Sequence, residues 1–216
     1  MNKRVCHIVG AGENYSLALS PGEGDLVIAA DAGLRYFQEL GVEPDLVIGD
    51  FDTLGYCPQG DRVIRLNPEK DDTDMLAAVR EGLKRGYRRF HLRCAMGGKI
   101  EHSLANIQLL SFLADNGAQG FLFDGSAILT AFCSDRLCFP AGCAGRISVF
   151  SMSDRSTGVY ERGLRYALDD ATLSNSFPLG VSNEFTGKES SVSVETGTLL
   201  AIYPRDLGAV YVTKLT

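Results

Sequence analysis

Asp31, Asp50, Asp52, Asp71, Asp72 and Asp74 all follow or border apolar runs in the first part of the chain. In "LVIGDFDTLG", residues 46–55, a buried-looking strand stops at Gly-Asp-Phe-Asp; Asp31 follows "LVIAA", and "EKDDTD" opens a helical pattern. Carboxylates crowded in one place repel one another unless a cation offsets their charge, and Mg²⁺ takes one or two carboxylates together with substrate phosphate oxygens. The pattern points to a magnesium–nucleotide site. For Asp71 and Asp72, capping of the following helix is an equal explanation, because acids in a first turn interact favourably with the helix dipole. Capping explains less at Asp50 and Asp52, which close a strand.

A second polar landmark is "AMGGKIEHSLAN", residues 95–106, again between a strand and a helix. Gly97 and Gly98 permit close approach of backbone to a ligand, the helix N-terminus favours anions, and Lys99 supplies a point charge. A tight turn is the commoner reason for Gly-Gly, and Glu101 and His102 are also ordinary first-turn residues.

These groups need a frame that gathers strand ends. Up to about residue 130, the runs "RVCHIV", "DLVIAA", "DLVIGD", "RRFHLRC" and "GFLFDG" alternate with helical patterns, which predicts a mostly parallel sheet with helices on its faces. Such sheets bind ligands at the carboxyl ends of their strands. The clearest helix is predicted over residues 73–85, with Leu76, Val79 and Leu83 on its apolar stripe, and a second over 101–116. From residue 126 the texture becomes β-branched and Gly-punctuated, which predicts a small all-β sandwich or barrel. The expected division is an α/β nucleotide-binding domain at 1–130 and a β domain at 131–216.

With 45% hydrophobic residues among 216, the chain can bury a substantial core, and its formal charge of −6 argues against nucleic acid or an anionic membrane as main partner. The first apolar run is too short for a signal peptide and no segment approaches the roughly 18 apolar residues of a membrane span, so a cytoplasmic protein is expected. Six cysteines occur without a CxxC pair and are expected to be buried, reduced thiols.

In order along the chain, "DLVIAADAG", "PDLVIGDFDT", "KDDTDMLAAV", "GGKIEHSLANIQLL", "GLRYAL" and "GVSNEF" resemble the successive signatures of the thiamine pyrophosphokinase family. The resemblance implies a Rossmann-like three-layer α/β domain followed by a thiamine-binding β-sandwich, with ATP as co-substrate and Mg²⁺ as cofactor. It implies that Asp50, Asp52, Asp71 and Asp74 serve metal and catalysis with Asp31 close by. Thr73, Lys99 and Asn106 fall on the ATP side, and Ser182 and Asn183 on the thiamine side. The implied reaction converts ATP and thiamine to AMP and thiamine diphosphate, the thiamine hydroxyl attacking the β-phosphorus. A homodimer with shared sites is also implied, and the limited core and open edges of a small β domain point the same way. Lys99 and Glu101 stand where the family usually has Arg and Asp; Lys keeps the charge but loses bidentate geometry. Competing readings are a metal-dependent phosphohydrolase, since strand-end aspartates can activate water, and a non-catalytic nucleotide or thiamine sensor.

Overall fold

The structure, a computed structural model, describes residues 4–67, 69 and 72–215. It divides into two compact units, one taking in residues up to 109 together with 122–124, the other residues 110–121 and 125 onward.

The first unit is built on parallel strands β1 (Cys6–Val9), β2 (Leu26–Ala30), β3 (Leu46–Gly49), β4 (Val63–Arg65) and β5 (Arg89–Arg93), with helices α1 (Leu34–Leu40) and α2 (Asp74–Lys84). Helix α3 (Ile100–Asp115) and strand β6 (Gln119–Phe123) each contribute residues to both units. Ile8 of β1 lies opposite Ile28 of β2 and Leu92 of β5; β3 continues beyond β2 and β4 beyond β3. The strand order β5-β1-β2-β3-β4 reverses direction of growth between β1 and β5. The apolar runs of β1, β2 and β3 are buried throughout, as strands covered on both faces require.

On one face, Val9, Val27, Ala29 and Val47 pack with Phe37 of α1. On the other lies α2, whose buried residues are Met75, Ala78, Val79 and Gly82. This differs from the expected stripe: Val79 is buried, whereas Leu76 and Leu83 are half-buried at its margin. The reason is closeness. A Cβ on Gly82 would stand 2.6 Å from Phe90 Cε1 and 2.9 Å from Cys6 Sγ. Small residues therefore line the contact, and counting large apolar residues places the stripe slightly off.

The second unit is antiparallel. Its strands are β7 (Ala127–Cys133), β8 (Asp135–Phe139), β9 (Arg146–Ser151), β10 (Ser156–Arg162), β11 (Leu168–Leu173), β12 (Gly180–Glu184), β13 (Ser190–Ser193), β14 (Thr198–Pro204) and β15 (Thr213–Lys214). One set pairs in the order β12-β9-β14-β7, and a separate five-stranded sheet runs β11-β10-β13-β8-β15. Phe139 of β8 meets Phe185 and Tyr203 edge-on at 5.0 and 5.3 Å, fixing aromatic mass in the core. The expected boundary at 130 falls within β7. All six cysteines are reduced, none in a disulfide; Cys6, Cys94 and Cys143 are buried, but Cys57 and Cys133 are half-buried and Cys138 is exposed, against expectation. The alternation along β8 explains it: Leu137 and Phe139 point inward and Cys138 outward.

Candidate functional site

Asp31, Asp50 and Asp74 reach one point from three elements: the 3-10 turn after β2, the end of β3, and the first residue of α2. One carboxylate oxygen from each lies within 4.8 Å of the others. Asp31 is buried, and its Oδ1 has no hydrogen-bond partner among the described residues. A buried carboxylate oxygen without a donor is costly unless something positive meets it. These three acids fit a divalent cation that also takes phosphate or water oxygens.

Local backbone explains the gathering. A Cβ at Gly49 would lie 3.0 Å from Asp31 Cα, so glycine at the end of β3 lets the two strand ends close on each other. Phe51, between Asp50 and Asp52, is 3% exposed and holds φ at +67°. A bulky residue adopts that conformation only when its surroundings enforce it, and the buried ring is the anchor that leaves its flanking acids outside the core. Asp31 and Cys94, at φ +45° and +49°, repeat the feature after β2 and β5.

The remaining expected residues are distributed as follows. Asp52 is exposed, accepts a bond from Thr53 Oγ1 at 2.9 Å, and stands outside the group of three. Asp71 lies outside the described residues. Asp72 pairs with Arg80. Thr73 caps α2, its Oγ1 accepting from Leu76 N at 3.1 Å. Asn106 is buried and donates to Ala95 O at 2.7 Å, fixing the loop after β5. Lys99 is exposed. The Gly97–Gly98 turn, at φ +82° and +66°, lies beside an acid: Glu13 Cγ is 2.6 Å from where a Gly97 Cβ would be.

Sequence reasoning passed over the loop that carries Glu13. Gly10 N donates to Arg93 O at 2.9 Å, Gly12 N to Cys94 O at 2.7 Å and Glu13 N to Met96 O at 2.8 Å, so the loops after β1 and β5 are stitched together at the strand-order reversal. Tyr36 Oη adds a bond to Gly12 O at 2.6 Å. Gly-Ala-Gly directly after a strand was the available signal.

Thr73→Val removes the cap from the helix that presents Asp74. It is expected to lower stability by about 1 kcal/mol, measurable as a denaturation midpoint, with Thr73→Ser restoring it.

Two family models match the sequence: "Thiamin pyrophosphokinase, catalytic domain" over residues 22–121 and "Thiamin pyrophosphokinase, vitamin B1 binding domain" over residues 141–200. The chain belongs to the thiamin pyrophosphokinase family. It is accordingly an ATP-dependent thiamine diphosphokinase, moving the pyrophosphoryl group of ATP to thiamine to give thiamine diphosphate and AMP. Among solved structures, the thiamine pyrophosphokinase of Bacillus subtilis is similar at 23% identity and TM-score 0.79, covering 93% of this chain and 99% of that one. The Geobacillus thermodenitrificans thiamin pyrophosphokinase has 25% identity and TM-score 0.77, covering 93% and 97%. The yeast enzyme retains the fold at 12% identity, with TM-score 0.69 and coverage of 94% and 87%. No curated protein matches the chain by sequence. No helix among the described residues is long and apolar enough to cross a membrane.

In this pyrophosphokinase, Ser182 and Asn183 lie on β12, within the vitamin B1 binding match. Ser182 is exposed at φ +59°, and its N donates to Ser148 Oγ at 3.0 Å. Asn183 is buried, and its amide is fully engaged. Oδ1 accepts from Tyr166 N at 3.0 Å and Glu184 N at 2.8 Å; Nδ2 donates to Tyr166 O at 2.7 Å and Glu161 Oε2 at 2.6 Å. Sequence reasoning overlooked Glu161, because an acid within a strand pattern carries no signal of its own.

Proposed function

We propose that the transfer runs on Mg²⁺ held by Asp31, Asp50 and Asp74, with Asp52 and, as the family resemblance implies, Asp71 serving the phosphate side. The observation that carries this reading is the convergence of three carboxylates, one of them with a buried oxygen that has no partner among the described residues. The metal would offset charge on the triphosphate and on the departing AMP. The chain's own part is positioning: Thr73 and the strand ends hold the acids, Asn106 holds the loop after β5, and Lys99 offers an exposed cation near that loop.

In this reading residues 1–130 form a Rossmann-like three-layer nucleotide domain. Residues 131–216 form a thiamine-binding sandwich, supported by the Leu164–Phe185 bridge and the Glu161–Asn183 bond, which tie strands of its two sheets. The protein works in the cytoplasm as a homodimer with shared thiamine sites. Exposed Tyr166, Phe177, Leu179 and Val181 provide apolar surface for the second copy.

The test is incubation with ATP, Mg²⁺ and thiamine: AMP and thiamine diphosphate should appear in equal amounts, and chelation should stop both. Product formation undiminished by a chelator would reject the metal assignment. On the thiamine side, Ser182→Ala is expected to raise the thiamine KM about tenfold with the ATP KM unchanged, as loss of one polar contact predicts. Ser182→Gly relieves the backbone yet lacks the hydroxyl, so it should show the same loss; a normal thiamine KM in both variants would remove the hydroxyl from recognition.

A further inference from the structure

An amide has two donors and two acceptor lone pairs, and Asn183 spends all four inside the fold. It has no capacity left for a ligand. Its Oδ1 and Nδ2 grip the N–H and C=O of Tyr166 as a neighbouring strand would, so the side chain fastens the "GLRYAL" segment to β12 beside exposed Ser182. An amide can turn over and exchange its oxygen and nitrogen. Here the reversed form would set NH₂ against two N–H groups and oxygen against two oxygens. The side-chain group that enforces the observed orientation is Glu161, 1% exposed on β10, whose Oε2 takes the second Nδ2 hydrogen.

We propose that Glu161 is a positioning residue for thiamine binding, acting through Asn183 to hold the Tyr166 and Ser182 backbone in the binding form. The proposal rests on the reading that the β12 segment receives thiamine. Glu161 Oε1 is buried without a hydrogen-bond partner among the described residues, so the acid is not placed there to complete a polar network of its own. Burial raises its pKa, with the Asn183 bond opposing, to about 7, because enclosing the carboxyl disfavours its charged form. Glu161 faces Leu168 of β11 and Val192 of β13 across the sheet, so Asn183 is the polar partner it serves.

The test compares Glu161→Leu, Glu161→Gln and Glu161→Asp by steady-state kinetics in each substrate, on protein checked for folding. Glu161→Leu removes the acceptor and should raise the thiamine KM about tenfold or more, leaving kcat and the ATP KM near wild type. Glu161→Gln keeps an acceptor oxygen and should restore the thiamine KM. Glu161→Asp, which withdraws the acid by one methylene, should show the same split at smaller size and serves if the leucine variant does not fold. A normal thiamine KM in folded Glu161→Leu, or failure of glutamine to rescue, overturns the proposal. Asn183→Ala separates the causes: if it raises the thiamine KM while Glu161→Leu does not, the role of Glu161 fails and the thiamine reading of β12 stands. If Asn183→Ala and Ser182→Ala are both neutral, the reading of β12 fails as well.

Discussion

Asp50→Asn is expected to cut turnover about a thousandfold, the loss of about 4 kcal/mol that removal of one transition-state charge contact entails, while making the ligand-free protein slightly more stable. The two effects have one cause. Three carboxylate oxygens within 4.8 Å repel one another until a cation arrives. At an effective dielectric between that of water and about 20, a like-charge pair near 4 Å costs about 1–4 kcal/mol. Replacing one acid by its amide relieves part of that, so a gain on the order of 1 kcal/mol should appear in denaturation without metal. With Mg²⁺ and ATP the order reverses, because ligand binding stabilises only the protein that binds. Asp31→Asn should behave likewise, since asparagine tolerates the positive φ found there. An Asp50→Asn protein that is less stable than wild type without metal and equally stabilised by Mg²⁺ would mean that the acids are held by structure, with no cation to share.

Residues that carry a period or a motif were legible in the sequence. The apolar runs ending at Asp31 and Asp50 gave strands β2 and β3, and strand ends in a parallel sheet converge whatever the intervening loops do. Thr73 and Gly86 bracketed α2 because capping and termination are local. What stayed hidden depends on distance across the chain. Nothing local in "GGKIEH" tells that Glu13 lies against Gly97, over eighty residues away in sequence. Asn183 and Glu161 form the clearest case. The motif "GVSNEF" marks Asn183 as notable, but only its four bonds tell that it builds the segment and does not reach outward. A buried acid in an antiparallel strand leaves no periodic trace, since one polar residue at an inward position resembles a register shift.

That buried acid predicts a pH dependence of stability with a definite sign. An unfolded glutamate titrates near 4.5, whereas burial holds Glu161 up at about 7 in the folded protein. Between those values the folded state keeps a proton that the unfolded state has released, so stability falls as pH rises. The contribution is fully present below about 4.5, is lost progressively through about 7, and changes no further above that. A shift of this size corresponds to about 3 kcal/mol in all. Other carboxylates also titrate in part of this range, so the measurement is a difference: urea midpoints of wild type and Glu161→Gln, taken from pH 4 to 9. Glutamine has no proton to lose, and every other group is common to both proteins. The variant should therefore gain on wild type steadily between about pH 4.5 and 7, then hold a constant lead. Parallel curves across the whole range would mean that Glu161 ionises as freely in the folded protein as in the unfolded chain, and that water reaches the carboxyl group which the structure encloses.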